Sequence, residues 1–245
     1  MKFFVSNVAA ISGDQTLPLR YPQLPFVASL FWKKFKPDSS DYAPWTDPRV
    51  RIVFTVLQTM REFRHGGAIA IVPESASGRI LDGLAGYACI EPSTALSEAI
   101  RVYNEAREKA DAKPEEVSTF ESYRDSLAEA VAALSCVDGA VVLSYDLNIL
   151  GFGMKFEFDS KLSAQTPIEL QDPLDHADYR KQIKLNEAGG TRHQSAAQFV
   201  LKNHDGIAFV ASQDGNITAF VWEEWGDQNQ YGSLVAYSRL ELTMS

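Results

Sequence analysis

The chain has 245 residues, which is long enough for one sizeable hydrophobic core or for a domain with an extension. Hydrophobic residues make up 45% and charged residues 22%, so the composition is that of a folded protein rather than a disordered one. The formal net charge of −9 argues against a general nucleic-acid or anionic-membrane surface, because such surfaces are basic.

Cysteine usage and hydropathy favour a cytoplasmic protein. Its two cysteines, Cys89 and Cys136, lie in apolar contexts without Cys-x-x-Cys spacing, which is typical of buried reduced thiols. No apolar run approaches the roughly 20 residues that a membrane helix needs. We therefore expect a cytoplasmic protein with no membrane partner and no direct nucleic-acid partner.

The first 59 residues differ in composition from the rest. They contain six prolines and several aromatic residues, which predicts an irregular N-terminal extension that packs against the following domain. The apolar stretch within residues 1–10 is too short and too interrupted for a signal peptide and predicts an edge strand. Phe31, Trp32 and Phe35 predict one face of a short helix. The alternative for this extension is that it docks a partner or covers a ligand site.

The next part of the chain predicts alternating helices and strands. Apolar residues at helical spacing predict a helix over 49–63, and the run 67–72 predicts a core strand. Residues 73–86 are rich in Ser and Gly and predict a solvated loop. Two helices separated near Pro114 are predicted within 93–134.

The second half of the chain predicts strands around a glycine-rich turn. A strand begins at Ala140 and bends or ends near Gly151 and Gly153, and residues 157–188 predict a long polar connection. The run Gln-Asp-Gly-Asn at 213–216, between two apolar runs, predicts a tight hairpin. Together these elements predict an α/β fold with a mixed central β-sheet flanked by helices.

The turn at Gly189, Gly190 and Thr191 opens a predicted helix that continues with Arg192 and His193. Free amides and the positive end of a helix dipole bind phosphate, and a guanidinium adds a two-pronged donor. On local pattern alone, an ordinary helix N-cap beside a surface arginine is the simpler explanation.

A second motif changes that balance. Asp138-Gly139-Ala140 stands at the start of a predicted buried strand, where an acid can serve as a metal ligand. With the segment 190–194, Gly-Thr-Arg-His-Gln, it resembles the paired signatures Asp-Gly-Ala and Gly-Thr-Arg-His-Arg of the diadenylate cyclase (DAC) domain. The resemblance covers residues 60–222, including the strands at 67–72, 206–213 and 217–220. It implies a DAC-like domain at 60–225 after the extension at 1–59, and a C-terminal tail at 226–245 that packs on this domain.

The resemblance also implies an activity. In this family two ATP molecules bind in facing protomers, and each 3′-hydroxyl attacks the α-phosphate of the opposite nucleotide. The products are the second messenger cyclic di-AMP and pyrophosphate. The resemblance therefore implies a nucleotidyltransferase of bacterial signalling, a homodimer or higher homo-oligomer, and Mg²⁺ or Mn²⁺ as the divalent metal.

Roles at individual residues follow from the matched motifs. By this resemblance Asp138, Arg192 and His193 would be the catalytic residues, with Asp138 and His193 as metal ligands. The nucleotide would also contact the remaining motif positions and a serine on the strand that faces the same pocket in the family, namely Gly139, Ala140, Gly190, Thr191, Gln194 and Ser212.

Gln194 departs from the family pattern, because the second arginine of the motif is absent here. The loss of this arginine should reduce turnover more than binding, since a cation that stabilises transition-state charge is worth on the order of 10³ to 10⁵ in rate. Two hypotheses follow: an active diadenylate cyclase, and a DAC-like sensor that binds a nucleotide without converting it. A structural module without a ligand ranks last, because Asp138 and Arg192 are both present.

Overall fold

A single mixed β-sheet organises the chain. The structure is a computed structural model, and it describes residues 30, 34, 48–82, 84–93, 114–136, 138–172, 180–225 and 231–240. Within these residues the sheet has nine strands in the order β2-β4-β3-β1-β7-β8-β9-β5-β6. Parallel pairing joins β1 to β3 and β5 to β9, and the other neighbours are antiparallel. The predicted α/β class with a mixed central sheet flanked by helices is confirmed.

The elements with described bounds are nine strands, five α-helices and one 3₁₀ turn. The strands are β1 (Gly67–Val72), β2 (Ala85–Ser93), β3 (Ala140–Ser144), β4 (Ile149–Lys155), β5 (Pro167–Gln171), β6 (Arg180–Lys184), β7 (Ile207–Ala211), β8 (Ile217–Trp225) and β9 (Tyr231–Tyr237). The α-helices are α1 (Pro48–Phe63), α2 (Glu74–Asp82), α3 (Pro114–Ser135), α4 (Ser160–Gln165) and α5 (Thr191–Lys202), and a 3₁₀ turn spans Leu185–Glu187.

Helices α1 and α3 cover one face of the sheet. The apolar stripe of α1 is buried there with Val131 of α3 and Ile69 of β1, so the predicted helix over 49–63 is confirmed. The second of the two helices predicted near Pro114 is also present, as α3. Leu30 is 2% exposed and belongs to the same core.

Helix α5 covers the opposite face. Its residues Ala196, Ala197 and Val200 are fully buried against β1, β7 and β8. Because both faces are covered, all six residues of β1 are buried. This double burial explains why β1 is a continuous apolar run rather than an alternating one.

Two local predictions were wrong. The predicted loop over 73–86 contains helix α2, because Ile80 is only 5% exposed and anchors it in the core. Gly151 and Gly153 do not end the strand that begins at Ala140. They lie inside β4, which returns antiparallel after a turn in which Leu147 has a φ of 62°.

The predicted polar connection at 157–188 contains ordered structure. Asp159 caps α4 by accepting hydrogen bonds from the amides of Lys161 and Leu162. Strands β5 and β6 then extend the sheet, and β9, from the predicted C-terminal tail, lies between β8 and β5. Polar composition hid these strands, because β6 forms an edge where its side chains face solvent.

One ionic cluster attaches this added part to the sheet. Arg180 of β6 contacts carboxylates of Glu169 on β5, at 2.9 Å, and Glu223 on β8, at 2.7 Å. Tyr237 of β9 donates a 2.6 Å hydrogen bond to Glu223, which is 6% exposed. Burial raises the pKa of the Tyr237 hydroxyl well above its ordinary value, and the Glu223 carboxylate adds to the shift. Four strands are therefore held by one guanidinium and its partners.

Several predictions fall outside the described residues. These are the edge strand over 1–10, the helix face formed by Phe31, Trp32 and Phe35, and the first of the two helices near Pro114. Among the helices that the structure describes, none has the length and apolarity needed to cross a membrane.

Candidate functional site

Strand pairing brings the two motifs to one edge of the sheet. Strands β1 and β3 run parallel with Ile69 opposite Val141, so both begin at the same edge. Strand β7 runs antiparallel to β1 with Ala211 opposite Gly67, so β7 ends there. Asp138 precedes β3 and Ser212 follows β7. We call this end of β1, β3 and β7 the site edge.

Helix α5 begins beside the same edge. Its N-cap, Gly190, is extended and makes no side-chain capping bond, and Thr191 is its exposed first residue. The first intrahelical bond runs from the Gln194 amide to the Gly190 carbonyl at 3.1 Å. The amides of the first helical turn before Gln194 consequently have no acceptor within the helix. With the helix dipole, they form a local anion-binding group in a chain of net negative charge.

The Arg192 guanidinium lies on the backbone of Gly66, just before β1. A Cβ atom at Gly66 would stand 2.5 Å from Nη1 of Arg192, and the φ of Gly66 is +68°. Arg192 is partly buried, and its guanidinium makes no hydrogen bond or ion pair within the described part of the chain. A guanidinium carries five donors, and leaving them unpaired in a partly buried place is unfavourable unless a ligand accepts them.

His193 is held between the glycine turn and the sheet. A Cβ at Gly189, whose φ is +142°, would stand 2.8 Å from Cγ of His193. The imidazole also meets the ring of Phe220 edge-on, with centroids 6.3 Å apart. Burial lowers the pKa of His193; the negative charge of Asp214 opposes this shift and the positive charge of Arg192 adds to it. A lowered pKa favours the neutral ring, which has one unprotonated nitrogen that can ligate a metal and one N–H that can donate to a phosphate oxygen.

Asp138 is the exposed acid of the site edge. Its side chain is 87% exposed and one carboxylate oxygen lies 3.5 Å from Nζ of Lys155. Gly139 has a φ of +117°, and a Cβ there would stand 2.4 Å from the carbonyl carbon of Gly153. Ala140 is 2% exposed and faces the core under α5. Gly139 and Ala140 thus serve close packing of β3 against β4 and α5, and this packing fixes the position of Asp138.

Two predicted ligand contacts are engaged in local structure. The Gln194 side-chain amide donates to the Gly189 carbonyl at 2.9 Å. The Ser212 hydroxyl bonds the Asp214 carboxylate in the β7–β8 hairpin and lies 3.1 Å from the Asn216 carbonyl oxygen. Hydrogen bonds that the Ser212 hydroxyl and the backbone and side-chain amides of Asn216 donate to the Asp214 carboxylate lower the pKa of Asp214. The hairpin predicted at 213–216 is confirmed.

Sequence reasoning missed Lys155 and Asp214 at this edge. Asp214 was interpreted only as a turn residue, although its charge acts on His193. Lys155 stands at the end of β4, and nothing in the local pattern links it to Asp138. Only the antiparallel pairing of β3 with β4 brings Lys155 and Asp138 together.

The donor set limits the kind of metal site. No group of three His, Cys, Asp or Glu side chains that could hold a metal ion occurs among the described residues. Mg²⁺ commonly binds through one or two carboxylates together with substrate phosphates and water. Asp138 fits that arrangement, because its carboxylate is exposed beside the phosphate-binding turn. His193 as a second ligand stays a prediction.

A separate cavity of about 210 Å³ lies at the opposite edge of the sheet. It is formed by α2 and by the chain between α5 and β7, and it contains no residue of either motif. We place the candidate site at the site edge, because the unpaired arginine, the helix start and the acid meet there.

No protein-family model matches the sequence, and no curated protein sequence is similar to it. Among solved structures, a double mutant of DacA from Staphylococcus aureus is similar, with a TM-score of 0.41 and 14% sequence identity. The match covers 72% of this chain and 83% of the DacA chain. The function proposed below rests on the chain's own residues and not on this likeness.

Proposed function

We propose that this protein is a diadenylate cyclase that condenses two ATP molecules into cyclic di-AMP. The observation that carries the proposal is that both motifs lie at the site edge, where the partly buried, unpaired guanidinium of Arg192 lies against Gly66. An acid, a phosphate-binding helix start and a free guanidinium are the groups that such a reaction needs.

The triphosphate would bind at the start of α5. Amides of the first helical turn and the Arg192 guanidinium would hold the β- and γ-phosphates, and an N–H of His193 would donate one further hydrogen bond. A divalent cation on Asp138, when bound, would neutralise phosphate charge. Without nucleotide and cation, the Asp138 carboxylate pairs with Lys155 at the surface. Binding of the nucleotide and the cation would replace this ion pair.

The reaction requires two copies of the site. In each half, the 3′-hydroxyl oxygen of one ATP bonds to the α-phosphorus of the other, and the bond from that phosphorus to the oxygen bridging to the β-phosphate breaks. One pyrophosphate leaves per half, and each hydroxyl proton passes to a base or to water. Arg192 would stabilise charge on the leaving pyrophosphate. A face-to-face homodimer would align the two halves.

A nucleotide sensor without turnover is the second candidate. The observation that favours it is the position of Gln194, whose side chain donates to the Gly189 carbonyl and supplies no charge to the phosphates. The turn retains its amides and Arg192, which suffice for binding. A sensor would bind ATP or a cyclic dinucleotide and release it unchanged.

One experiment separates the two functions. The purified protein is incubated with ATP and either Mg²⁺ or Mn²⁺, cyclic di-AMP is detected by mass spectrometry, and binding of ATP and cyclic di-AMP is measured by calorimetry. We expect product, and its loss in Asp138→Asn and Arg192→Gln. Arg51→Gln, an exposed position on α1, is the matched control and should leave product formation unchanged.

The other outcomes are equally defined. Binding without product, abolished by Arg192→Gln, would establish the sensor and refute the cyclase. A folded protein that binds neither nucleotide under either metal would refute both.

A further inference from the structure

Arg61 lies beside the hairpin that borders the site edge. It belongs to the last turn of α1, on the face of the sheet opposite α5. A Cβ at Gly215 would stand 3.7 Å from Cγ and 3.9 Å from Nε of Arg61. The side chain therefore packs over the turn that holds Ser212 and Asp214, next to the residues at which β7 ends.

Arg61 shares an unusual property with Arg192. Four arginines are partly buried among those whose side chains the structure describes: Arg49, Arg61, Arg180 and Arg192. Arg49 contacts Asp146 at 3.3 Å and Arg180 contacts two glutamates. The guanidinium groups of Arg61 and Arg192 make no hydrogen bond or ion pair with any described residue.

The partial burial of Arg61 and Arg192 favours an anionic ligand for their guanidinium groups. Removing a guanidinium from water is unfavourable unless its donors are accepted, and Arg49 and Arg180 satisfy that requirement within the protein. Arg61 and Arg192 do not satisfy it, and both lie beside one end of β7. Arg192 reaches over Gly66 from α5, and Arg61 reaches over Gly215 from α1. A polyphosphate is the chemical class that can accept donors from both at once, because its anionic oxygens are spread along a chain.

We propose that Arg61 is a second guanidinium of the phosphate site and supplies the positive charge that Gln194 does not. This inference rests on the proposed binding of a nucleotide and holds for either the cyclase or the sensor. It predicts a preference for the length of the phosphate chain, because Arg61 would join Arg192 and the helix start on the β- and γ-phosphates, which AMP lacks. The ligand class is a nucleoside triphosphate rather than a monophosphate.

Calorimetric titration of the full chain with ATP, AMP and inorganic pyrophosphate tests the role of Arg61. The Arg61→Gln variant should bind ATP roughly 10- to 150-fold more weakly than wild type, because it loses a charge-assisted contact of about 1.5–3 kcal/mol. AMP binding should change little. Arg61→Lys keeps the charge and should recover part of the affinity. Arg51→Gln, on the exposed face of the same helix, removes the same charge and should leave ATP affinity unchanged.

The outcomes distinguish this inference from the proposed function. If the wild-type protein binds ATP and Arg61→Gln binds it equally well, the role of Arg61 is wrong and the site stands. An equal loss for ATP and AMP would also overturn it, because Arg61 would then not act on the outer phosphates. If the wild-type protein binds neither ATP nor pyrophosphate, the proposed function fails first. Should Arg61→Gln unfold, Arg61→Lys must show selective weakening of ATP binding, or the inference fails.

Discussion

Substitution of Gly139 by alanine tests the packing that positions Asp138. The φ of Gly139 is +117°, a conformation that side chains rarely adopt. A Cβ there would stand 2.4, 2.6 and 2.7 Å from backbone atoms of Gly153. Ordinary carbon contacts begin near 3.5 Å, so β3 and β4 would have to separate locally by about 1 Å.

The expected loss of stability has two parts. A residue held in a sparsely populated backbone region costs about 1–3 kcal/mol. Overpacking against a backbone that cannot move aside costs about 1–3 kcal/mol more. Gly139→Ala should therefore lower the free energy of unfolding by about 2–6 kcal/mol, out of the roughly 5–15 kcal/mol of a typical domain. At this chain length the midpoint of thermal unfolding should fall by about 2–4 °C for each kcal/mol.

Urea unfolding followed by tryptophan fluorescence measures this change, since the chain has four tryptophans. Gly78→Ala is the matched control: no atom lies within 4 Å of its Cβ position, and the residue is exposed within α2. This control should raise the free energy of unfolding by about 0.5–1 kcal/mol through helix propensity. A Gly139→Ala protein as stable as wild type would refute the close contact of β3 with β4.

Three further changes test other parts of the structure. Arg180→Ala should lower the free energy of unfolding by about 3–5 kcal/mol, because the buried Glu223 carboxylate loses the guanidinium that neutralises it; equal urea midpoints would contradict this. Burial lowers the pKa of His193 in the folded protein below the value of about 6.5 that the unfolded chain has. The unfolded chain therefore binds more protons as the pH falls, and stability should fall below about pH 6.5. His193→Gln should lack this part of the pH dependence, and parallel stability curves would count against it. Gly66→Ala should lower the free energy of unfolding by only about 1–2 kcal/mol. It should weaken ATP binding, because the added Cβ displaces the Arg192 guanidinium; an unchanged ATP affinity by calorimetry would contradict this.

Local signals located several elements correctly. The helical spacing of 49–63, the apolar run of β1 and the turn residues at 213–216 each act within a few residues, and the structure contains all three elements. Helix α2 was missed because its composition of Ser and Gly predicts a loop, and burial of Ile80 outweighs that weak preference.

The added strands were missed for a different reason. An edge strand with exposed Lys and Arg carries almost no alternation of apolar and polar residues, and β6 is such a strand. Its attachment depends on Arg180, whose partners Glu169 and Glu223 lie on two other strands. No spacing in the sequence relates these residues, because each pair is set by strand register.

The sequence by itself determined which groups are available for chemistry: an acid before a strand, a glycine turn opening a helix, and an arginine that no local partner neutralises. Only the tertiary structure decided which of them meet. Parallel pairing of β1 with β3 and antiparallel pairing of β1 with β7 bring Asp138, Arg192 and Ser212 to one edge, and packing of α1 adds Arg61. The physical reason is that local motifs encode donors and turns within a few residues, whereas the distances between them are set by pairing and burial across the whole sheet.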